Sequence, residues 1–264
     1  MASWQWGSSR IRVGRAVLPL VGAVAVTVAL VPVLQGTTEP TSASDETRQT
    51  LPTETVRTPR PAPNLAGHRV TSNSPVRVVD RVRTAAPVVF LTIDDGVAKN
   101  RSVLRWFRQR QVPATAFLTD ANIASDYGYF RRLQRLGVGI QNHTSRHSWL
   151  RGSSESLQRD EICSASSRFE SEFGIRPYLF RPPFGVWDER TRTAAGRCGI
   201  GWMVQWSVVI DGGNVDYRSG FRRLRRGDIV LLHFTRSTTN DLRLFLELAM
   251  RSRLRPANLE EYLH

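Results

Sequence analysis

The stretch Pro87 to Ile93 reads Pro-Val-Val-Phe-Leu-Thr-Ile, almost continuously apolar and rich in β-branched residues, and it is cut off abruptly by Asp94. A strand with one wet face alternates apolar and polar positions. This one does not, so both of its faces must be covered, as in a parallel sheet flanked by helices. The segments that follow repeat the theme. A helix over Arg101–Arg110 places Val103, Leu104 and Phe107 on one face, and a strand follows at Ala114–Leu118. A helix Tyr127–Leu136 and a strand Val138–Gln141 come next. A longer helix runs from Ser154 to Phe173, with Leu157, Ile162, Phe169 and Phe173 available to a core. Gly174 and Pro177 end it. Strand Tyr178–Phe180, helix Asp188–Arg197, strands Gly201–Ile210 and Asp228–His233, and helix Asn240–Arg251 complete the series. Strands alternating with helices imply an α/β fold with a parallel sheet, open or closed into a barrel, over residues 85–264.

Polar residues of chemical interest fall at the C-terminal ends of these strands: Asp94, Asp95, His143, Arg181, Asp211 and His233. In a parallel barrel those ends share one face, where active sites are built. Structural polar residues scattered by chance would have no reason to gather there.

Ahead of this domain, Ala16 to Leu34 is an uncharged, mostly apolar run preceded by Arg10, Arg12 and Arg15. About 19 residues is near the lower limit for crossing a bilayer and long for a signal-peptide core, so residues 1–36 read as a signal peptide or a membrane anchor. Either way the arginines stay in the cytoplasm and the rest of the chain goes outside. Membrane contact would come through this segment alone. Residues 37–84, rich in Thr, Ser, Pro and Arg, read as a disordered linker, because they cannot bury enough apolar surface to offset the entropy of ordering. Cys163 and Cys198 then lie in an oxidising compartment, where a disulfide and two separate small core residues are equally open readings. The formal charge of +14 favours an anionic setting such as a membrane surface or a charged cell wall. Nucleic acid is not the expected partner, since the arginines are scattered and no aromatic stacking platform interleaves them. A monomer is expected.

Three short motifs carry chemistry. Asp94 and Asp95 end the first strand, and Gly96 permits a tight turn after them. Neighbours on a strand point to opposite faces, so the two carboxylates should serve different partners. His143 and His147, on the first turn of a helix, would place both imidazoles on one side, as chelation requires. Two histidines and one carboxylate leave coordination positions open for water and substrate. Arg181-Pro182-Pro183-Phe184-Gly185 holds an extended, rigid path suited to a groove wall, with Arg181 placed to keep an aspartate ionised.

Together these stretches resemble the polysaccharide deacetylase family, carbohydrate esterase family four. Thr92 to Gly96 matches the family's Thr-Phe-Asp-Asp-Gly with Ile93 for Phe, and His143 to His147 matches its His-Ser/Thr-x-x-His. Arg181 to Gly185 matches Arg-Pro-Pro-Tyr/Phe-Gly, and Leu231 to His233 matches the closing apolar strand with its histidine. The resemblance implies a distorted, incomplete (β/α) barrel and a hydrolase that removes acetyl groups from an acetylated glycan. It further implies a divalent metal on Asp95, His143 and His147, with zinc first and cobalt or another divalent ion as alternatives. Asp94 would be the general base, Arg181 its orienting partner and His233 the general acid, while the backbone N–H of Phe184 would meet the oxyanion. Pro183, Phe184, Trp206 and Leu231 would line the substrate pocket.

The fourth family motif, Asp-x-x-Asp-Trp, is where the match frays. Here Trp206 is followed by Ser-Val-Val-Ile-Asp-Gly-Gly-Asn, which leaves Asp211 as the plausible partner for Arg181 and removes a tryptophan from the acetyl pocket. Peptidoglycan is the favoured substrate, with chitin oligomers and acetylated xylan open. A glycan-binding protein that has lost catalysis on the same scaffold is the second reading.

Overall fold

The computed structural model describes residues 76–218 and 220–263. The apolar run 16–34 and residues 37–75 of the expected linker lie outside the described residues. Ten strands form one sheet: β1 (Arg77–Val79), β2 (Val88–Asp95), β3 (Ala114–Leu118), β4 (Val138–Asn142), β5 (Leu179–Phe180), β6 (Trp202–Val204), β7 (Val208–Asp211), β8 (Asn214–Tyr217), β9 (Ile229–His233) and β10 (Arg255–Pro256). Their order is β1-β6-β5-β4-β3-β2-β9-β7-β8, with β10 against the start of β2. Every pairing is parallel except the β7–β8 hairpin.

The sheet curls into an incomplete (β/α) barrel. Between β6 and β7, ladders give way to single bonds: Gln205 N–H donates to the Val79 carbonyl at 2.7 Å and Ser207 N–H to the Ile229 carbonyl at 3.0 Å. Among the described residues there are six α-helices: α1 (Arg101–Arg110), α2 (Asp120–Ile123), α3 (Tyr127–Arg135), α4 (Glu155–Phe173), α5 (Glu189–Arg197) and α6 (Thr238–Arg251).

β2 is buried on both faces, as its composition requires. Val89, Leu91 and Ile93 face a helix-covered core with Phe107, Phe130 and Phe245. Val88 and Phe90 face a second core with Phe117, Leu179, Val204 and Ile229, capped by Leu259 and Leu263. Each fully buried large apolar side chain contributes roughly 1.5–3 kcal/mol. Local signals set the helix ends. Ser154 Oγ accepts from Leu157 N–H ahead of α4, and Gly174 closes that helix in the left-handed region. Asp188 and Thr191 form a capping box at α5.

Several expectations change. Part of the expected linker packs on the fold: Val76 and Val82 are buried, and β1 adds a parallel edge to β6, so residues 76–84 are structured. The single strand expected over Gly201–Ile210 breaks at Gln205–Ser207 into β6 and β7, because the sheet changes partners there. Leu157 is exposed, and Gln158 and Glu161 take the buried face of α4.

Cys163 of α4 and Cys198 after α5 are bonded, with Cα atoms 4.9 Å apart. The bridge closes a sequence separation of 35 residues. Constraining a loop of that size in the unfolded chain stabilises by roughly 4 kcal/mol. Reduction should therefore lower the urea midpoint clearly without changing the far-UV spectrum; an unchanged midpoint would show that the bridge contributes nothing.

The C-terminal segment supplies a residue the sequence did not advertise. Glu260 plugs the barrel interior, accepting from Thr115 Oγ1 at 2.8 Å and from Gln141 Nε2 at 3.4 Å. Burial pushes its carboxyl above the ordinary value of 4.5, and those hydrogen bonds only partly oppose the rise. The folded protein thus keeps a proton that the unfolded chain releases near 4.5, so this contribution to stability is full below that pH and is lost as pH rises through the folded value. Glu260→Gln should flatten the fall in urea-unfolding free energy above that pH; an unaltered slope would assign the fall to other groups.

Candidate active site

Period-two alternation sends Thr92 and Asp94 of β2 toward the barrel interior, and Leu231 and His233 of β9 stand beside them in register. Continued regularly, Asp95 would point the other way, toward the helices. It does not, because its φ is +75° and the chain turns out of the strand at this residue. Asp94 and Asp95 therefore face one pocket and not opposite sides of the strand, yet they do meet different partners, Arg181 for Asp94 and the two histidines for Asp95. Gly96 makes the turn possible: its φ is +83°, and a Cβ there would lie 2.4 Å from the Ile123 side chain.

The histidine pair also differs from its expected setting. His143 and His147 lie in the loop between β4 and α4, not on a helix. The loop shapes itself: Asn142 Oδ1 accepts from Thr144 N–H, and Thr144 Oγ1 accepts from His147 N–H. Thr144 and His147 both take left-handed φ, +72° and +60°. That path brings the two rings to 4.9 Å, a juxtaposition the i, i+4 spacing would also have given on a helix.

Asp95 Oδ1 lies 3.4 Å from His143 Nε2 and 3.3 Å from His147 Nε2. His143 Nδ1 is 2.7 Å from the Arg181 carbonyl, which can only accept, so Nδ1 carries a proton and in the neutral ring Nε2 presents a lone pair to the carboxylate. Lone pair then faces lone pair unless a positive charge sits between them. Asp95 Oδ1 is buried and has no hydrogen-bond partner among the described residues. One carboxylate and two imidazole donors within 4.8 Å of one another, with an orphaned oxygen at their centre, fit a divalent cation.

Asp94 is buried beside this trio, with Oδ2 3.8 Å from His143 Nε2. Its Oδ1 accepts from Arg181 Nη1 at 2.6 Å. The wholly buried Arg181 spends its other donors on Thr92 Oγ1 and the carbonyls of Val204 and Gln205, and its guanidinium stacks 4.3 Å over Phe117. Burial draws that guanidinium below its ordinary value against the pull of Asp94, but it starts so high that it remains charged.

The pocket above these groups has a volume of about 330 Å³. Its polar side is Asp94, Asp95, His143, His147 and His233, and its apolar side is Pro182, Phe184, Trp206, Val209 and Leu231. The structure thus gathers every sequence-predicted site residue but two. Asp211 is exposed at the end of β7 and makes no contact with Arg181, whose donors are filled by Thr92, Asp94 and backbone carbonyls. Pro183 is buried and does not line the pocket, and Pro182 lines it instead. Sequence reasoning missed Thr92 and Val209. Thr92 was within reach, two residues before Asp94 and so on the same face; Val209 becomes visible only once β7 is known to pair with Leu231.

Residues 81–202 match the family model described as polysaccharide deacetylase. A chitooligosaccharide deacetylase of Bradyrhizobium sp. is 31% identical over 153 residues, 55% of this chain and 69% of that protein. An uncharacterized protein of Streptomyces coelicolor is 42% identical over 191 residues, 70% of this chain and 77% of that protein. Among solved structures, a family 4 carbohydrate esterase from Bacillus anthracis superposes with a TM-score of 0.60 at 22% identity, covering 70% of this chain and 86% of that one. Motifs, fold and relatives agree, and the chain belongs to the polysaccharide deacetylase family.

Proposed function

We propose that the chain is a divalent-metal-dependent hydrolase that releases acetate from an extracellular glycan, with N-acetylglucosamine units of peptidoglycan as the favoured substrate. The observation that carries this reading is the intact set of Asp94 on Arg181 beside the Asp95, His143 and His147 cluster, with His233 directly across from Asp94 in the neighbouring strand.

Asp95, His143 and His147 would hold the metal, zinc being favoured by the nitrogen and oxygen donors and by three protein ligands. Bound there, the ion supplies Lewis-acid polarisation of an acetyl carbonyl and acidifies water. Asp94, held in place by Arg181 through Oδ1, takes a proton from the attacking water through Oδ2. His233 returns a proton to the leaving nitrogen or oxygen. The backbone N–H of Phe184, on the pocket wall, is assigned to the oxyanion. Trp206, Val209 and Leu231 replace the missing tryptophan of the fourth motif as the apolar wall for the acetyl methyl.

An extracytoplasmic location forms part of this proposal. The Cys163–Cys198 bridge supports it, since disulfides persist in oxidising compartments. Action as a monomer on neutral or anionic wall glycan, not on nucleic acid, completes it. The second reading, a glycan-binding protein without turnover, draws on the altered fourth motif; the retained base, acid and donor set weigh against it.

The direct test measures acetate released by the full chain from N-acetylglucosamine oligomers, peptidoglycan and acetylated xylan, with and without a chelator. Release that chelation abolishes and zinc restores is the expected result. No release from any of these substrates by protein with metal demonstrably bound would remove the enzyme reading.

A further inference from the structure

Two large aromatic side chains of the domain stand in solvent beside the pocket: Trp149 is 55% exposed and Phe184 58%. Their ring centroids are 5.6 Å apart with planes tilted by 35°, and Phe184 also lies 4.7 Å from the His147 ring. The pair forms a short aromatic shelf running outward from the cluster of Asp95, His143 and His147.

The loop that presents Trp149 is tied down on every side. Arg146 N–H donates to the buried Glu161 carboxylate at 2.8 Å, and its guanidinium stands 2.6 Å from the other oxygen. Leu150, the next residue after Trp149, is buried in the core around Ile162 and Phe180. Gly152 N–H donates to Asp188 Oδ2 at 2.8 Å. A tryptophan held in water on a fixed loop gains nothing for the fold, since burying it would contribute stability. A rigid aromatic in such a place is suited to a ligand, because little freedom remains to be lost on binding.

We propose that Trp149 and Phe184 form a saccharide subsite that takes the pyranose ring next to the one whose acetyl group enters the pocket. The inference deepens the deacetylase reading and rests on it for the direction of the chain. The C–H face of a pyranose is a small apolar patch with slight positive charge, matched to the negative face of an aromatic ring, while its hydroxyls remain in water at the edge. Two rings are far too small a surface for a protein partner, which needs about 1,000 Å² in total. The consequence is a preference for oligomers over single sugars.

The test uses the full chain and its Trp149→Ala and Trp149→Phe variants. Calorimetry measures binding of the N-acetylglucosamine tetramer and monomer, and acetate release gives kcat and KM on the tetramer. The expected result for Trp149→Ala is about tenfold weaker tetramer binding and a KM raised by a similar factor, the size of one well-packed aromatic anchor. kcat and the melting temperature should hold, and Trp149→Phe should recover most of the loss. Equal tetramer binding by wild type and Trp149→Ala would overturn the subsite, as would a wild type that binds no tetramer. A wild type that binds the tetramer through Trp149 yet releases no acetate would keep the subsite and sink the deacetylase reading instead.

Discussion

Asp94→Asn should retain the full metal content of the wild type and lose about 10³-fold in acetate release, whereas His143→Ala should lose the metal itself. The two residues stand side by side, yet their proposed duties differ. Asp94 gives one oxygen to Arg181 and lies outside the trio whose donor atoms converge. Asparagine there keeps an acceptor for the guanidinium but cannot take a proton. His143 is oriented by its Nδ1 bond to the Arg181 carbonyl, which leaves its Nε2 facing the site as the proposed ligand atom. Metal analysis after dialysis, with single-turnover acetate release on the same samples, checks both statements. Equal metal content and equal activity in the two variants would contradict the assignment.

The second large effect concerns stability. Arg181→Leu should cost about 3–5 kcal/mol, because it leaves the buried Asp94 carboxylate without its partner. The double variant Arg181→Leu with Asp94→Leu should be more stable than Arg181→Leu alone, since no unpaired charge remains inside. Urea unfolding of the four proteins closes this cycle. A double variant that unfolds no later than the single would mean that the lost bonds to the Val204 and Gln205 carbonyls, not the stranded charge, dominate.

The sequence made the parallel core legible because its strands are buried on both faces and therefore lack alternation; β2 is the clearest case. It made β1 illegible, since three residues in a stretch rich in Arg, Thr and Pro carry no periodicity, and only the waiting edge of β6 selects them. The two histidines come together even where their local geometry was misread. His143 and His147 meet on a loop because two left-handed residues fold that loop back, something spacing alone cannot distinguish from a helical turn. Asp211 misled for a related reason. Motif order placed it after a strand, but the break at Gln205–Ser207 reroutes the chain into a hairpin and carries the carboxylate into solvent. Glu260 could not have been anticipated, because an acidic residue near a chain end reads as surface until the segment is seen plugging the barrel.

Among the described residues other than glycine, six have positive φ, and four of them are Asp95, Thr144, His147 and Phe184, all at the pocket or in its supporting loop. A search for stabilising substitutions would favour glycine at such positions, since glycine occupies this region without a steric penalty. Applied here it would erase two donor atoms, the hydroxyl that holds His147 and half of the aromatic shelf. Thermostability screening of this domain would therefore enrich for proteins with a dismantled pocket unless every round also selects for what the pocket does.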